Sequence, residues 1–209
     1  MKKLLMLLCV CGCFAVTPLL ADDVFAVNFD PNAGLLLGNG PFTLGWSFQV
    51  TQTINVTDLA VFDPGGAALV ENHQIGIWDA AGNLLDSAFS AGCGVQADNR
   101  GEKWCDNAAP VTLTPGTYTI GATWNSLTDP LILPGAGLTN FNVQGVSFIQ
   151  NEFLAGGFAD PTNTTGDGMS YFGPNFEYTA TPEPSSMVLL GTVALGVGLR
   201  LRKALRKAN

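Results

Sequence analysis

The sequence predicts an all-β domain, a two-sheet antiparallel sandwich of the jelly-roll type, with an apolar segment at each end. Three observations support this fold class. Apolar and polar residues alternate over short runs, turn residues separate the runs, and no helical periodicity of useful length occurs between them. The 25 glycines and 12 prolines in 209 residues fit a fold with many turns. We therefore expect one domain over residues 22–180.

Alternation over short runs predicts about eight strands. In the clearest run, Leu44, Trp46, Phe48 and Val50 lie on one face and polar or small residues lie on the other. A tight turn at residues 114–116 precedes another alternating run, because proline fixes φ at one position and glycine permits positive φ at the next. The remaining strands are predicted at residues 59–62, 73–78, 84–89, 117–124, 143–149 and 171–178.

Residues 1–21 have the three parts of a secretory signal peptide. Two lysines begin the segment, residues 4–16 form an uninterrupted apolar run, and Ala21 provides a small residue at the cleavage site. The run is too short for a permanent membrane span. We expect passage through the export machinery and cleavage after Ala21. The alternative is a lipoprotein signal with Cys13 as the lipidated residue, although a single acyl chain anchors only weakly.

The C-terminal segment, residues 181–209, has three parts in a fixed order. A Pro-Glu-Pro motif precedes an apolar stretch over residues 185–201, which as a helix measures about 25 Å at 1.5 Å per residue. A basic cluster then holds this end in the cytoplasm. The motif residues are Pro182, Glu183 and Pro184, and the basic cluster contains Arg200, Arg202 and Lys203.

This arrangement resembles the PEP-CTERM sorting signal, which membrane proteases called exosortases recognise. The resemblance covers residues 181–209. It implies transient anchoring in the inner membrane, cleavage near the Pro-Glu-Pro motif, and release or attachment at the surface of a Gram-negative cell that makes exopolysaccharide. The alternative is an ordinary C-terminal membrane anchor in which Pro-Glu-Pro is a stiff linker.

The central region is similar to small β-sandwich domains of unknown function that often precede this tail. The similarity covers most of residues 40–178 and implies a fold without implying an activity. It is carried by the segments at residues 45–48, 75–82, 113–118 and 173–176.

The charge of the central region limits its partners. Residues 22–182 contain 16 acids and only two basic residues, Arg100 and Lys103, which gives a net charge of −14. Such a surface repels phosphate backbones and anionic lipid headgroups, so we expect no nucleic-acid partner. The charge suits a cation-rich medium or a hydroxyl-rich polysaccharide, and it also keeps an exported protein soluble.

Cys93 and Cys105 are the two cysteines that remain after signal-peptide removal, and an oxidising compartment favours a disulfide between them. The bond would close a polar loop and stabilise the fold by about 3 kcal/mol. Trp104 lies in this loop beside the two basic residues; we expect it to be exposed, and it is the candidate glycan contact. The alternative is a loop that needs the disulfide only because it is long and polar. The aromatic residues Trp78, Trp124 and Tyr171 are further candidates, although Trp46, Trp78 and Trp124 fit a core better.

Oxygen ligands in one glycine-containing loop make calcium the candidate metal. Asp160, Asn163 and Asp167 could contribute, but the loop lacks EF-hand spacing, and an ordinary polar turn explains the same residues. His73 is the single histidine, which excludes a zinc site of several histidines.

Enzyme signatures are lacking in this sequence. It contains no nucleophile elbow, no phosphate-binding glycine loop and no triad context for His73. We therefore expect a non-enzymatic protein of the envelope or exopolysaccharide matrix, either structural or a weak glycan binder. The alternative is a secreted glycosidase-like hydrolase, because two carboxylates suffice for that chemistry.

Overall fold

The computed structural model describes residues 23–27, 35–37, 40–63, 69–93, 102–125, 128–132, 142–164 and 173–180, and single positions in the tail. Thirteen strands form over these ranges. They are β1 Val24–Phe25, β2 Leu35–Leu37, β3 Phe42–Val50, β4 Ile54–Phe62, β5 Gln74–Asp79, β6 Leu84–Phe89, β7 Glu102–Leu113, β8 Gly116–Trp124, β9 Pro130–Ile132, β10 Asn142–Val143, β11 Val146–Ala155, β12 Asn163–Thr164 and β13 Pro174–Ala180. A 3₁₀ turn, Ser90–Gly92, follows β6.

The described strands form two main antiparallel sheets. The smaller sheet has the order β1-β13-β4-β7, so the last strand of the domain lies inside the sheet. The larger sheet has the order β10-β11-β3-β8-β5-β6, with β12 also paired to β11. Strands β2 and β9 form a separate antiparallel pair. The prediction of two antiparallel sheets is confirmed.

The core lies between the two sheets. Trp46 in β3 stacks on Phe176 in β13, with ring centroids 5.8 Å apart and an interplanar angle of 16°. The Trp46 indole nitrogen donates a hydrogen bond to the carbonyl oxygen of Pro174 at 3.0 Å, which satisfies its polar atom inside the core. Burial of an aromatic residue this large contributes about 3–5 kcal/mol relative to alanine.

A row of glycines crosses the outer face of the larger sheet. Gly121 in β8 lies opposite Gly45 in β3 on one side and opposite Gly76 in β5 on the other. Because these positions have no side chains, another segment can approach the sheet closely. The approaching segment is residues 156–162, which we call the strap.

Two strap residues fill the space above the glycine row. A Cβ atom on Gly76 would lie 2.6 Å from the ring of Phe158, and one on Gly121 would lie 3.0 Å from the ring of Pro161. Phe158 also packs against Trp78, with ring centroids 5.0 Å apart. The outer face of the larger sheet is therefore covered where these glycines lie.

Two short turns, residues 51–53 and 114–115, carry the chain between the two sheets at one end of the sandwich. Ile54, which follows the first turn, lies opposite Leu113 in β7. Ile54 also lies opposite Ala180, the last residue of β13. The domain therefore ends beside these turns.

A third turn, residues 144–145, lies at the same end. The Gly145 carbonyl oxygen accepts a hydrogen bond from the Thr51 amide at 2.8 Å. Gly145 has φ +94°, a conformation that favours glycine. We call this end of the sandwich the terminal pole, defined by the turns at residues 51–53, 114–115 and 144–145.

One part of the fold differs from the sequence prediction. Residues 102–105 were expected in a polar loop, but they begin strand β7. Their backbone pairs with residues 59–62 of β4, which supplies the hydrogen bonds that a loop would leave to solvent. The predicted signal peptide and the predicted sorting helix lie outside the described ranges.

Candidate functional site

The sorting motif follows the last strand of the sandwich almost directly. Strand β13 ends at Ala180, and Pro182 lies two residues further along the chain. The motif and the basic residues Arg200, Arg202 and Lys203 lie outside the described residues. Among the tail positions that are described, residues 191, 196–198 and 205 are helical and exposed. No helix formed by the described residues is both long enough and apolar enough to cross a bilayer.

The first and last strands of the domain are neighbours. Val24 in β1 lies opposite Tyr178 in β13, and Phe25 lies opposite Glu177. Because the strands are antiparallel, the chain enters the domain and leaves it at the same end. This end is the terminal pole, since β13 finishes there. Both predicted processing positions therefore border one end of the folded domain.

A buried polar cluster lies at the opposite end of the sandwich. His73 is 0% exposed, and its Nε2 atom lies 2.9 Å from a carboxylate oxygen of Asp129, which is 3% exposed. The other ring nitrogen, Nδ1, makes a hydrogen bond with the carbonyl oxygen of Thr123. All of the hydrogen-bonding capacity of the imidazole is therefore used inside the domain.

Asp129 also accepts hydrogen bonds from the backbone just before His73. It accepts hydrogen bonds from the amides of Val70 and Glu71 at 3.0 and 2.8 Å. Burial raises the pKa of Asp129, but these two bonds together with His73 outweigh burial and hold its pKa below the ordinary value. The pair thus fixes the segment at residues 69–73 against that at 128–129. The sequence contained no signal for it, because the two residues are 56 positions apart.

A second polar cluster lies under the strap. Asp160 faces Glu152, a residue of β11 that is 8% exposed. Glu152 accepts hydrogen bonds from Thr119 at 3.2 Å and from Gln150 at 3.0 Å. Burial, followed by the charges of Glu152 and then Asp79, raises the pKa of Asp160 to about 6. Asp160 therefore keeps its proton to a higher pH than an ordinary carboxyl group does.

The geometry brings together only part of the predicted calcium site. Asp160 lies in the strap, Asn163 is exposed in β12, and Asp167 lies outside the described residues. Over the ranges that the structure describes, no group of three or more His, Cys, Asp or Glu residues is arranged to hold a metal ion. The acidic neighbours of Asp160 are Glu152 and Asp79 rather than the sequence-adjacent residues. The calcium site stays a prediction.

The predicted disulfide and glycan contact fall on a partly described region. Cys93 is half-buried and packs against the core, and its sulfur lies 3.1 Å from the carbonyl oxygen of Phe89. The backbone of Cys105 lies opposite the core residue Leu59 in strand β7. Trp104 belongs to the same strand, not to the predicted loop. The structure describes the backbone of Trp104 but not its side chain.

The described tryptophans occupy two different environments. Trp46 and Trp124 are buried in the core between the sheets, as the alternation predicts. Trp78 is also buried, at 3% exposed, but it packs against Phe158 of the strap on the outer face. Its position follows from strand alternation, because Ile77, its neighbour in β5, belongs to the core. Tyr171 lies outside the described residues.

Comparison with known proteins identifies the tail. The family model of the PEP-CTERM protein-sorting motif matches residues 180–203, which begin at the last residue of β13. No curated protein matches the chain. The match covers the Pro-Glu-Pro motif, the apolar stretch and the start of the basic cluster, in agreement with the resemblance drawn from the sequence. The chain carries a PEP-CTERM sorting motif, which indicates an extracellular bacterial protein that is processed by exosortase.

Proposed function

We propose that this protein is a structural or weakly glycan-binding component of the cell envelope or exopolysaccharide matrix, sorted through its tail and without enzymatic activity. The observation that carries the proposal is the sorting motif at residues 180–203, directly after the last strand of a sandwich. In this proposal the signal peptide directs export, the apolar tail anchors the chain briefly, and exosortase cleaves near Pro182, Glu183 and Pro184.

The proposal of a non-enzymatic role is supported by the chemistry of the single histidine. Catalysis by His73 requires a ring nitrogen that can reach a substrate. Both nitrogens of His73 bond to groups within the domain, and the ring is fully buried. The acidic surface, with a net charge of −14 over residues 22–182, fits a hydroxyl-rich partner and disfavours an anionic one.

The disulfide between Cys93 and Cys105 is part of the proposal. Cys93 packs against the core, and Cys105 lies opposite a core residue in a strand next to the 3₁₀ turn that precedes Cys93. Such a bond would hold the start of β7, and therefore Trp104, in place. A rigid aromatic residue loses little conformational freedom when it stacks on a sugar ring.

Co-sedimentation with exopolysaccharide from the native host tests glycan binding. We expect the wild-type protein to sediment with the polysaccharide and Trp104→Ala to lower the bound fraction at least tenfold. Phe89→Ala is the matched control, because Phe89 is another exposed aromatic residue, at 50% exposure. Equal losses of binding in the two variants, or no binding by the wild type, would rule out specific glycan binding through Trp104. The structural role would then be the remaining proposal.

The second candidate function is a secreted glycosidase-like hydrolase. The observation that favours it is Asp160, whose raised pKa of about 6 and proximity to Glu152 are properties of a general acid in a carboxylate pair. Against it, Phe158 and Pro161 of the strap fill the adjacent sheet face. Release of reducing ends from the matrix polysaccharide, abolished by Asp160→Asn and retained in Asp23→Asn, would establish this alternative.

A further inference from the structure

The sorting motif overlaps the folded domain. The region matched by the family model begins at Ala180, which is also the last residue of β13. The backbone of Ala180 lies opposite Ile54 in β4, so the matched region begins inside the smaller sheet. Only Thr181 stands between Ala180 and the Pro-Glu-Pro motif. A protease that cleaves near this motif therefore works directly against the end of the sandwich.

The connection between the sandwich and the membrane segment is short. Ser185, where the apolar stretch begins, lies five residues after Ala180, and an extended polyproline-type segment rises about 3.1 Å per residue, which gives about 15 Å. An α-helix with its side chains is about 10–12 Å across. With β13 paired to its last residue, the gap between the sandwich and the bilayer therefore admits about one layer of protein. A catalytic cleft is concave and surrounds the bond that it cleaves, so it needs more room than this.

The last two residues of β13 are held less firmly than the rest of the strand. Strand β1 pairs with β13 at Glu177 and Tyr178. Among the described strands, Thr179 and Ala180 pair with β4 alone. Both of these residues are partly exposed. Residues at the end of a strand, with few partners and some exposure, open at a low cost in free energy.

Tyr178 limits how far this opening extends. Its side chain is 0% exposed, and the centroid of its ring lies 5.7 Å from that of Phe176. It lies opposite Val24 in β1 on one side and opposite Val56 in β4 on the other. Opening beyond Tyr178 would expose a core aromatic residue to water. Release of the two residues after Tyr178 lengthens the connection to seven residues, or about 22 Å, which is about the width of two helices.

We propose that exosortase cleaves the tail only when the last two residues of β13, Thr179 and Ala180, have separated from β4. The proposal rests on the proposed function, because it requires residues 185–201 to insert in the membrane and exosortase to cleave near the Pro-Glu-Pro motif. The folded sandwich thus sets the rate at which the anchored chain is processed. When opening and closing are fast relative to cleavage, this rate follows the population of the open form.

A reversible cross-link between β4 and the end of β13 tests the proposal. Asn55 and Thr179 lie directly opposite each other, and both are partly exposed. Directly opposite residues of antiparallel strands have Cα atoms about 4.5–5.5 Å apart, which is within the range of a disulfide. The variant Asn55→Cys with Thr179→Cys is therefore expected to hold the end of β13 closed when it is oxidised.

The assay follows loss of the tail by mass spectrometry, on the full chain reconstituted in vesicles with exosortase from the native host. We expect the oxidised variant to lose its tail at least tenfold more slowly than the wild type. After reduction, the variant is expected to lose its tail at the wild-type rate.

A second cross-link on the same two strands is the matched control. Asp58 and Glu177 also lie opposite each other, but nearer the start of β13. The variant Asp58→Cys with Glu177→Cys joins β4 to β13 and leaves the last two residues of β13 free to separate. We expect it to lose its tail at the wild-type rate, oxidised or reduced. The wild type with and without dithiothreitol controls for the native residues Cys93 and Cys105.

A flexible spacer tests the same constraint without new cysteines, and it decides the question if a cross-linked chain fails to fold. Insertion of Gly-Ser-Gly-Ser after Ala180 lengthens the connection without opening β13. We expect the spacer to speed tail loss at least threefold in the otherwise wild-type chain. In the oxidised variant with cysteines at positions 55 and 179, we expect it to restore at least the wild-type rate.

The possible outcomes separate this proposal from the proposed function. A wild-type chain that keeps its tail in the presence of exosortase would overturn both. Tail loss at the wild-type rate with the end of β13 cross-linked, or equal slowing by the two cross-links, would overturn the control by β13 alone. A spacer that leaves the rate unchanged or lowers it would also overturn this control, and a lower rate would show that exosortase needs the terminal pole close by.

Discussion

His73 and Asp129 form a buried pair, with 2.9 Å between the histidine Nε2 atom and a carboxylate oxygen. The pair joins two segments at the end of the sandwich opposite the terminal pole. Because both residues are almost fully buried, removal of one leaves the other without its partner in a medium of low dielectric constant.

We predict that Asp129→Asn lowers the free energy of unfolding at pH 7 by about 3 kcal/mol, because it removes a buried carboxylate that accepts hydrogen bonds from the amides of Val70 and Glu71 and contacts His73. Because the pKa of Asp129 is lowered in the folded state, its contribution is present above the ordinary pKa and is lost as pH falls through the folded value. Urea unfolding at pH 7 and at pH 3 measures both effects. The exposed Asp23→Asn serves as the control, and equal stability of the two variants at pH 7 would refute the prediction.

The contribution of Asp160 to folding stability depends on pH in the opposite direction to that of Asp129. Its pKa is raised from 3.8 to about 6, so the folded protein keeps a proton that the unfolded chain releases. Stability is therefore expected to fall as pH rises from about 4 through about 6 and then to level off. Because Asp160 is partly open to solvent, we expect this change to be about 1 kcal/mol. Asp160→Asn should remove the slope, and a variant that keeps the wild-type slope between these pH values would contradict the assignment.

Position 45 in β3, part of the glycine row, has no room for a side chain. A Cβ atom on Gly45 would lie 1.9 Å from the backbone oxygen of Ile120, which cannot move without disturbing the sheet. We predict that Gly45→Ala destabilises the fold by about 3 kcal/mol, at the upper end of overpacking costs. Gly157→Ala in the strap is the control, since a Cβ there meets nothing within 4 Å. Thermal unfolding compares the two, and equal melting temperatures would show that β3 and β8 are spaced differently.

The predicted disulfide has a simple chemical test. Reduction of the wild-type protein is expected to lower the free energy of unfolding by about 3 kcal/mol. A variant with both Cys93→Ser and Cys105→Ser should have this lower stability with or without reductant. Denaturant unfolding with and without dithiothreitol provides the measurement. A wild-type protein that is indifferent to reductant would mean that the two cysteines are not bonded to each other.

The sequence predicted strands best where alternation was regular. Strands β3 and β8 lie where Leu44, Trp46 and Ile120 predicted an apolar face, because each strand has one face in the core. Strand β7 was missed over residues 102–113, whose Asp-Asn and Pro110 indicate turns. Pairing with β4 overrides that local preference, and a partner strand cannot be read from local sequence.

The polar clusters were less predictable than the strands. Asp129 is distant from His73 in sequence, and no spacing motif links them. The neighbours of Asp160 are Glu152 and Asp79, which reach it only because the strap folds back over the glycine row. The tail, in contrast, was predictable, because its signal consists of consecutive residues that a protease reads along the chain.

The intact mass of the protein recovered from its native host tests the central claim, export followed by removal of the sorting tail. We predict a mass that lacks residues 1–21 and everything after about Pro184, and that rises by about two hydrogens on reduction. A mass that retains the basic residues Arg200, Arg202 and Lys203 would contradict the account and would leave the protein permanently anchored through its tail.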